Sequence, residues 1–244
     1  MPQKTAAEHL TEALNRLTRT PHPLASAGSE IATRTESEKG VPTRPVFSIC
    51  ISREAGSGGI TVAREVGRRL GWPVFDEELM EKLADELKVD VTYLKDYDEQ
   101  RGSWLVDTIK AFSTSSASVS EVAYFHRLVK MLHALGLRGE CIVVGRGSNF
   151  ILPQETTLRV RIVASHNDRI AFMVRDHKLT NAEAARYVDT KDRERHKFIK
   201  DHFHKEPDDP LNYDLIFNRS RFSVDETAEM VIEALQRMQA RKTG

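Results

Sequence analysis

The sequence predicts an α/β fold, in which a parallel β-sheet carries helices on both faces. Three observations predict it. Residues 46–52 form an almost uninterrupted apolar run, which is typical of a strand covered on both sides. A glycine-rich loop and an amphipathic helix at 60–70 follow this run directly, and strand and helix patterns then alternate along the chain. Such alternation indicates a parallel sheet, because consecutive parallel strands are joined by crossover helices.

Each further element is assigned from its periodicity or from the residues that end it. Gly71 stands where a left-handed cap closes the first helix, and Pro73 prevents its continuation. Residues 74–75 then predict a short second strand, whereas 77–138 contain no convincing strand. The remaining predictions are strands at 141–144, 158–164 and 213–217, a helix at 121–135 that ends at Gly136 or Gly139, and helix starts with capping-box spacing at Ser165/Asp168 and Ser223/Glu226.

The chain divides by composition into two unequal parts. Residues 5–18 have the apolar spacing of a short amphipathic helix, and 18–45 are rich in Pro, Ser, Thr and Gly, which is typical of a flexible linker. Residues 46–244 suit one domain. Whether the N-terminal helix docks on a protein partner or is dispensable is open at this point.

Charge and cysteine usage exclude several classes of protein. Lys and Arg (36) balance Asp and Glu (36), so no overall field favours nucleic acid or a membrane, and anion recognition must depend on a local basic cluster. No apolar run is long enough to span a bilayer. Cys50 and Cys141 lie in apolar runs, as expected of reduced core residues. We therefore predict a cytoplasmic protein that binds neither nucleic acid nor membranes.

The segment Gly56-Ser57-Gly58-Gly59 lies between a buried strand and a helix. Glycines let successive N–H groups turn inward, and a helix N-terminus adds partial positive charge, so this loop suits the phosphates of a nucleotide. It is not the dinucleotide pattern, which needs glycine at Thr61, nor a regular Walker A motif, which needs lysine at Gly59. A plain tight turn is the alternative interpretation.

Two further segments supply basic side chains. Gly145-Arg146-Gly147 follows the strand at 141–144, and ligands of open α/β sheets bind beyond the carboxyl ends of the strands. The planar fork of Arg146 can therefore meet a phosphate, or alternatively satisfy local carbonyls. Residues 186–205 contain seven Lys or Arg against four Asp or Glu. Within them Asp192 and Arg195 are one helical turn apart, which also fits an ordinary solvated ion pair.

Taken together and in order, these segments resemble the cytidylate kinase-like family of P-loop kinases over about residues 46–240. The matching segments are the phosphate loop at 51–59, the start of the nucleotide-monophosphate region at 74–76, the Gly-Arg segment at 145–153, the mobile lid at 189–195 and the last strand at 213–218.

The resemblance implies a three-layer αβα P-loop kinase with a five-stranded parallel sheet. It also implies a helical acceptor-binding region at 77–138 and a lid at 180–210. The implied activity is transfer of the γ-phosphate of ATP, with Mg²⁺, to a nucleoside monophosphate, with CMP or dCMP as the first expectation.

Site residues follow from the same resemblance, position by position. The donor phosphates are expected on Gly56, Ser57, Gly58, Gly59 and Thr61, and Thr61 is also expected to hold Mg²⁺ through ATP. Acceptor contacts are expected from Asp76, Arg146, Asp192 and Arg195. Arg193 is expected to reach the donor phosphates when the lid closes, so that Arg193 and Arg195 serve catalysis.

The chain departs from typical cytidylate kinases at three positions, with Gly59 for lysine, Gly147 for aspartate and Val188 for a lid arginine. If the protein is a kinase, another cation must replace the lysine. Arg53, three residues before Gly56, is the nearest catalytic candidate, unless it pairs with Glu54 or Glu65.

Two other functions are open. One is a nucleotide-binding regulatory protein without turnover, and the other is a kinase for a different phosphate-bearing acceptor.

Overall fold

The computed structural model describes residues 45–78 and 119–243 and contains a five-stranded, all-parallel sheet. The strands are β1 (Ser48–Arg53), β2 (Val74–Phe75), β3 (Ile142–Val144), β4 (Thr157–Val163) and β5 (Leu215–Asn218), in the spatial order β2-β3-β1-β4-β5. The predicted α/β class and the five parallel strands are confirmed. The predicted N-terminal helix, the linker and the helices predicted within 79–118 lie outside the described residues.

The helices of the described residues connect these strands and cover the sheet. They are α1 (Gly59–Leu70), α2 (Val119–Arg138), α3 (Ser148–Ile151), α4 (His166–His177), α5 (Asn181–Phe203) and α6 (Val224–Thr243), with short 3₁₀ turns at Gln154–Thr156 and Pro210–Asn212. None of the helices described is long and apolar enough to cross a membrane.

Alternate strand residues point into two separate cores, which explains why the strands are apolar at nearly every position. On one face Ile49 and Ile51 pack with α1 and α6, and on the other Cys50 packs with α2 and Phe203. The three-layer arrangement is therefore confirmed. Cys50 and Cys141 are buried without a disulfide, and burial raises the pKa of each thiol to about 12, so both are inert core residues.

Most predicted boundaries are confirmed to within a residue or two, and the larger shifts have local causes. Gly139, with φ 67°, ends α2, whereas Gly136 lies inside this helix, where Pro153 and Leu152 leave no room for a Cβ. Strand β5 begins two residues later than predicted, because the N–H of Tyr213 closes the preceding 3₁₀ turn on Pro210.

The predicted helix starts are confirmed by their hydrogen bonds. Ser165 Oγ accepts from the N–H of Asp168, and Ser223 and Glu226 form a reciprocal capping box. A third capping box at Thr180 and Glu183 begins α5, although the sequence analysis did not single it out.

Gly147 is required by both conformation and space, which gives a test of the fold. Its φ is 67°, and a Cβ here would collide with the ring of Phe203 at the end of α5. We expect Gly147→Ala to lower the free energy of unfolding by about 2–4 kcal/mol, as measured by urea denaturation.

Gly71 provides the matched control for this substitution. It has nearly the same φ, 68°, but no atom lies within 4 Å of the added Cβ. Gly71→Ala should therefore lower the free energy of unfolding by only about 1–2 kcal/mol, the cost of the left-handed backbone conformation for a residue with a Cβ. Equal losses in the two variants would contradict the packing role of Gly147.

Candidate active site

A cleft of about 700 Å³ opens at the carboxyl ends of the strands, where the sequence places its glycine and arginine segments. Its walls come from the loop after β1, the loop after β3, residues 76–78 and the inner face of α5. This volume lies in the range of small-molecule sites.

The loop after β1 has the geometry of an anion cradle. Gly56 and Gly58 have φ values of 74° and 77°, and Gly58 caps α1 without any side-chain hydrogen bond. Ser57 is buried and its Oγ donates to the carbonyl of Glu54 at 2.9 Å, which tightens the turn. The first N–H groups of α1 thus face the cleft without a side-chain acceptor, as an anion site requires.

Arg53 crosses the loop directly above Gly59. A Cβ on Gly59 would lie only 2.6 Å from the Cβ of Arg53, so no larger residue fits here beside this arginine. Arg53 continues past the loop to Gly145, where an added Cβ would collide with its guanidinium. The stem of Arg53 therefore passes beside the glycine loop, and its carboxylate partner among the described residues is Glu77, not Glu54 or Glu65. Its catalytic role stays a prediction.

The loop after β3 is held in an unusual backbone conformation. Gly145, Arg146 and Gly147 have φ values of 80°, 53° and 67°. A positive φ costs a non-glycine residue about 1–3 kcal/mol and persists only where the surroundings enforce it. Here it aims Arg146 into the cleft, where its guanidinium lies over the ring of Phe198, 5.1 Å from the ring centre.

Three arginines from three different elements converge on the carboxylate of Glu77, an arrangement we call the Glu77 cluster. Glu77 oxygens lie 2.8 Å from Arg53 Nη2, 3.0 Å from Arg146 Nη2 and 3.9 Å from Arg195 Nη2. Arg195 also has buried Nε and Nη1 atoms that find no acceptor among the described residues. One carboxylate against three guanidinium groups leaves an excess of two positive charges, which suits a dianionic ligand.

Burial and the neighbouring charges shift the pKa values in this cluster. Burial, and then the charge of Arg195, lower the pKa of Arg53 to about 10, although Glu77 opposes this. Burial alone would raise the pKa of Glu77, but the three arginines outweigh it and hold the pKa below its ordinary value. Arg53 and Glu77 are therefore both charged at neutral pH.

Helix α5, the predicted lid, is docked on the glycine loop in this structure. Asp192 Oδ1 accepts from the N–H of Ala55 at 2.7 Å, and Asp192 Oδ2 pairs with Arg169 of α4. Buried Val188 packs with Ala55 and Met173 beside this contact. Asp192 thus binds the protein's own loop, while Arg195, one turn further on, faces Glu77.

A polar network behind the lid was not found from the sequence. Buried Arg161 of β4 donates to the carbonyl of Pro207 at 2.8 Å and pairs with Asp208, which also accepts from His196 of α5 at 2.8 Å. Burial lowers the pKa of His196, but its hydrogen bonds to Asp208 and to the carbonyl of Asp192 outweigh this and raise it. The only sequence signal was an arginine inside an apolar strand.

The other predicted site residues are not all brought together. Asp76 lines the cleft, and its Oδ2 lies 3.4 Å from Arg64 Nη2. Thr61 and Arg193 are exposed and are absent from the cleft walls, and Arg193 Nη2 donates to Thr190 Oγ1 at 3.1 Å. The roles of Thr61 in Mg²⁺ binding and of Arg193 in catalysis stay predictions.

Comparison with known proteins agrees with this geometry. Residues 48–221 match the cytidylate kinase-like family, which is most of the chain. The chain belongs to the cytidylate kinase-like family. Its fold is accordingly that of the P-loop kinases. A comparison with curated proteins gave no match.

Among solved structures, an uncharacterized protein from Eubacterium ventriosum shares the fold with a TM-score of 0.63 and 18% identity, over 78% of this chain and 98% of that chain. Shikimate kinase from Bacteroides thetaiotaomicron is more distant, with a TM-score of 0.45 and 14% identity, over 78% of this chain and 98% of that chain.

Gly59, Gly147 and Val188, where the sequence analysis expects departures from the typical cytidylate kinase pattern, each lie in close contact with neighbouring side chains. Arg53 fills the space beside Gly59 where a lysine would stand, and Phe203 fills the space beside Gly147 where an aspartate would stand. Val188, in place of a lid arginine, is fully buried against the loop. Gly59 and Gly147 therefore have no room for a larger side chain, and Val188 belongs to a buried apolar contact with the loop.

The Glu77 cluster gives a stability prediction for this site. Glu77→Gln leaves three guanidinium groups close together without a counter-charge, and we expect the free energy of unfolding to fall by about 1–3 kcal/mol at pH 7. Because the folded pKa of Glu77 lies below its ordinary 4.5, its contribution is complete above that pH and is lost as the pH falls through the folded value.

The measurement is urea denaturation of the wild type and of Glu77→Gln at a series of pH values from 7 to below 4.5. The difference in the free energy of unfolding between wild type and Glu77→Gln should decrease steadily below pH 4.5. Glu78→Gln, at the exposed neighbouring glutamate, is the matched control and should change stability by less than about 0.5 kcal/mol. A difference that does not depend on pH would contradict the ionic role of Glu77.

Proposed function

We propose that this protein is a kinase that transfers the γ-phosphoryl group of MgATP to a nucleoside monophosphate, with CMP or dCMP as the leading acceptor. The observation that carries the proposal is the Glu77 cluster beside the glycine loop. Its net positive charge beside the glycine loop supports this reaction, because phosphoryl transfer depends chiefly on positioning and on neutralising charge.

In this proposal the donor phosphates lie on the N–H groups of Gly56 to Gly59, with Mg²⁺ bound as part of the nucleotide substrate. The described residues do not supply a separate set of metal ligands, because the carboxylates of Glu77 and Asp192 are held by arginines. Arg53 lies between the loop and the acceptor arginines, so it is placed to neutralise the group in transfer.

On the acceptor side, Arg146 and Arg195 bind the phosphate of the monophosphate in place of Glu77. Their two elements, the loop after β3 and the lid, then close on the same ligand, which excludes water from the reacting phosphate. Asp192 becomes available to a ribose or base only when it releases Ala55 and Arg169.

A regulatory nucleotide-binding protein is the second candidate, and Gly59 is the observation that favours it. The phosphate-loop lysine is absent and Arg53 prevents a side chain at this position. The deciding experiment measures ADP formation from ATP with a panel of nucleoside monophosphates, alongside ATP binding. Transfer to a monophosphate supports the kinase, whereas binding of ATP without transfer to any acceptor supports the regulator.

Arg146→Ala tests the acceptor subsite. Loss of a charge-assisted hydrogen bond should raise KM for the acceptor by about 10–100-fold and leave the affinity for ATP nearly unchanged. Steady-state kinetics with the best acceptor check this. Arg186→Ala, at an exposed lid arginine outside the cleft, is the matched control. Unchanged acceptor kinetics in Arg146→Ala would remove this residue from the site.

Arg53→Ala tests the replacement of the lysine. Removal of one preorganised donor to a transition-state oxygen typically costs about 10²–10³ in turnover, so kcat should fall by this factor with a smaller change in ATP affinity. Arg53→Lys should recover part of the loss, because the charge remains. If kcat survives in Arg53→Ala, another group carries this role.

A further inference from the structure

The loop after β5 brings over the phosphate loop an arginine that the sequence analysis did not single out. The main-chain N–H of Arg219 donates to the carbonyl of Val163 at the end of β4, at 2.8 Å, which fixes this residue at the carboxyl edge of the sheet. Its Nη1 donates to the carbonyl of Phe222, and its Nη2 and Nε lie 3.5 and 3.6 Å from the position that a Cβ on Gly58 would occupy. The guanidinium therefore covers the cap of α1.

This cation has no counter-charge within the part of the chain that the structure describes. No carboxylate pairs with Arg219 there, and its Nε is buried without a hydrogen-bond acceptor. Burial, and then the charge of nearby Arg175, lower the pKa of Arg219. A partly desolvated cation without a counter-charge is unfavourable, and an anionic ligand placed beside it would supply that charge.

We infer that Arg219 binds the phosphates of the nucleoside triphosphate donor, from the side of the loop opposite to Arg53. The inference rests on the proposed function. Arg53 extends from Gly59 toward Gly145 and the β3 side of the sheet, whereas Arg219 approaches Gly58 from the β5 side. Phosphates on the loop would lie between the two guanidinium groups, which together supply the charge that a lysine at position 59 would provide.

A different role for the same side chain is stacking on the donor base. The ring of Phe172 lies 3.9 Å from the same point above Gly58, so a planar guanidinium and an aromatic ring meet here. The two roles differ in which part of the nucleotide they recognise, and this difference can be measured.

The experiment is displacement of a fluorescent ATP analogue from the full chain by MgATP, by inorganic tripolyphosphate, which has no base, and by adenosine, which has no phosphate. We expect Arg219→Gln to weaken the binding of ATP and of tripolyphosphate by about 10–100-fold and to leave the affinity for adenosine unchanged. Arg221→Gln, at an exposed arginine of the same loop, is the matched control and should bind all three as the wild type does.

Arg219→Lys keeps the charge but loses the forked donor, so this variant should bind ATP and tripolyphosphate several-fold more weakly than the wild type. If the Gln variant does not fold, the Lys variant is measured in its place. Unchanged tripolyphosphate affinity, or an equal loss for adenosine, overturns the inference while the proposed function stands. A wild type that binds neither ATP nor tripolyphosphate overturns both.

Discussion

The arrangement of the site depends on the ionised carboxylate of Glu77. Without it, Arg53, Arg146 and Arg195 would bring three like charges together from β1, the loop after β3 and the lid. A single carboxylate makes this convergence possible yet leaves it two positive charges in excess, so the cluster is stable and still attracts an anion. A ligand phosphate offers more oxygens and more charge than one carboxylate, so it can compensate the same arginines where it replaces Glu77.

The glycines of the site follow from the path of Arg53. Its stem occupies the space beside Gly59 and its guanidinium the space beside Gly145, so both positions must lack a Cβ as long as this arginine crosses between them. The backbone at both positions therefore has no side chain where the arginine passes.

The sheet and the glycine loop were predictable because they depend on local patterns. Apolar runs, capping residues and Gly71 each indicate a local structure from residues only a few positions apart. The location of Arg146 at the edge of the sheet likewise follows from its position after a core strand. Glu77 and Arg219 were not predictable in this way, because their roles come from contacts with residues more than a hundred positions away, Arg195 and Gly58. For Asp192, the family resemblance implied an acceptor contact on the lid, but it could not show that Ala55 and Arg169 hold the carboxylate.

The net charge differs in sign between the two sides of the phosphate loop. At the start of the loop, Glu54 and Asp192 bring two negative charges to Arg169, which lies 3.6 Å from a Glu54 oxygen and pairs with Asp192. At the Glu77 cluster the balance is positive. Under the proposed function, this charge difference favours a transferred phosphoryl group beside Arg53, between the loop and an acceptor on Arg146.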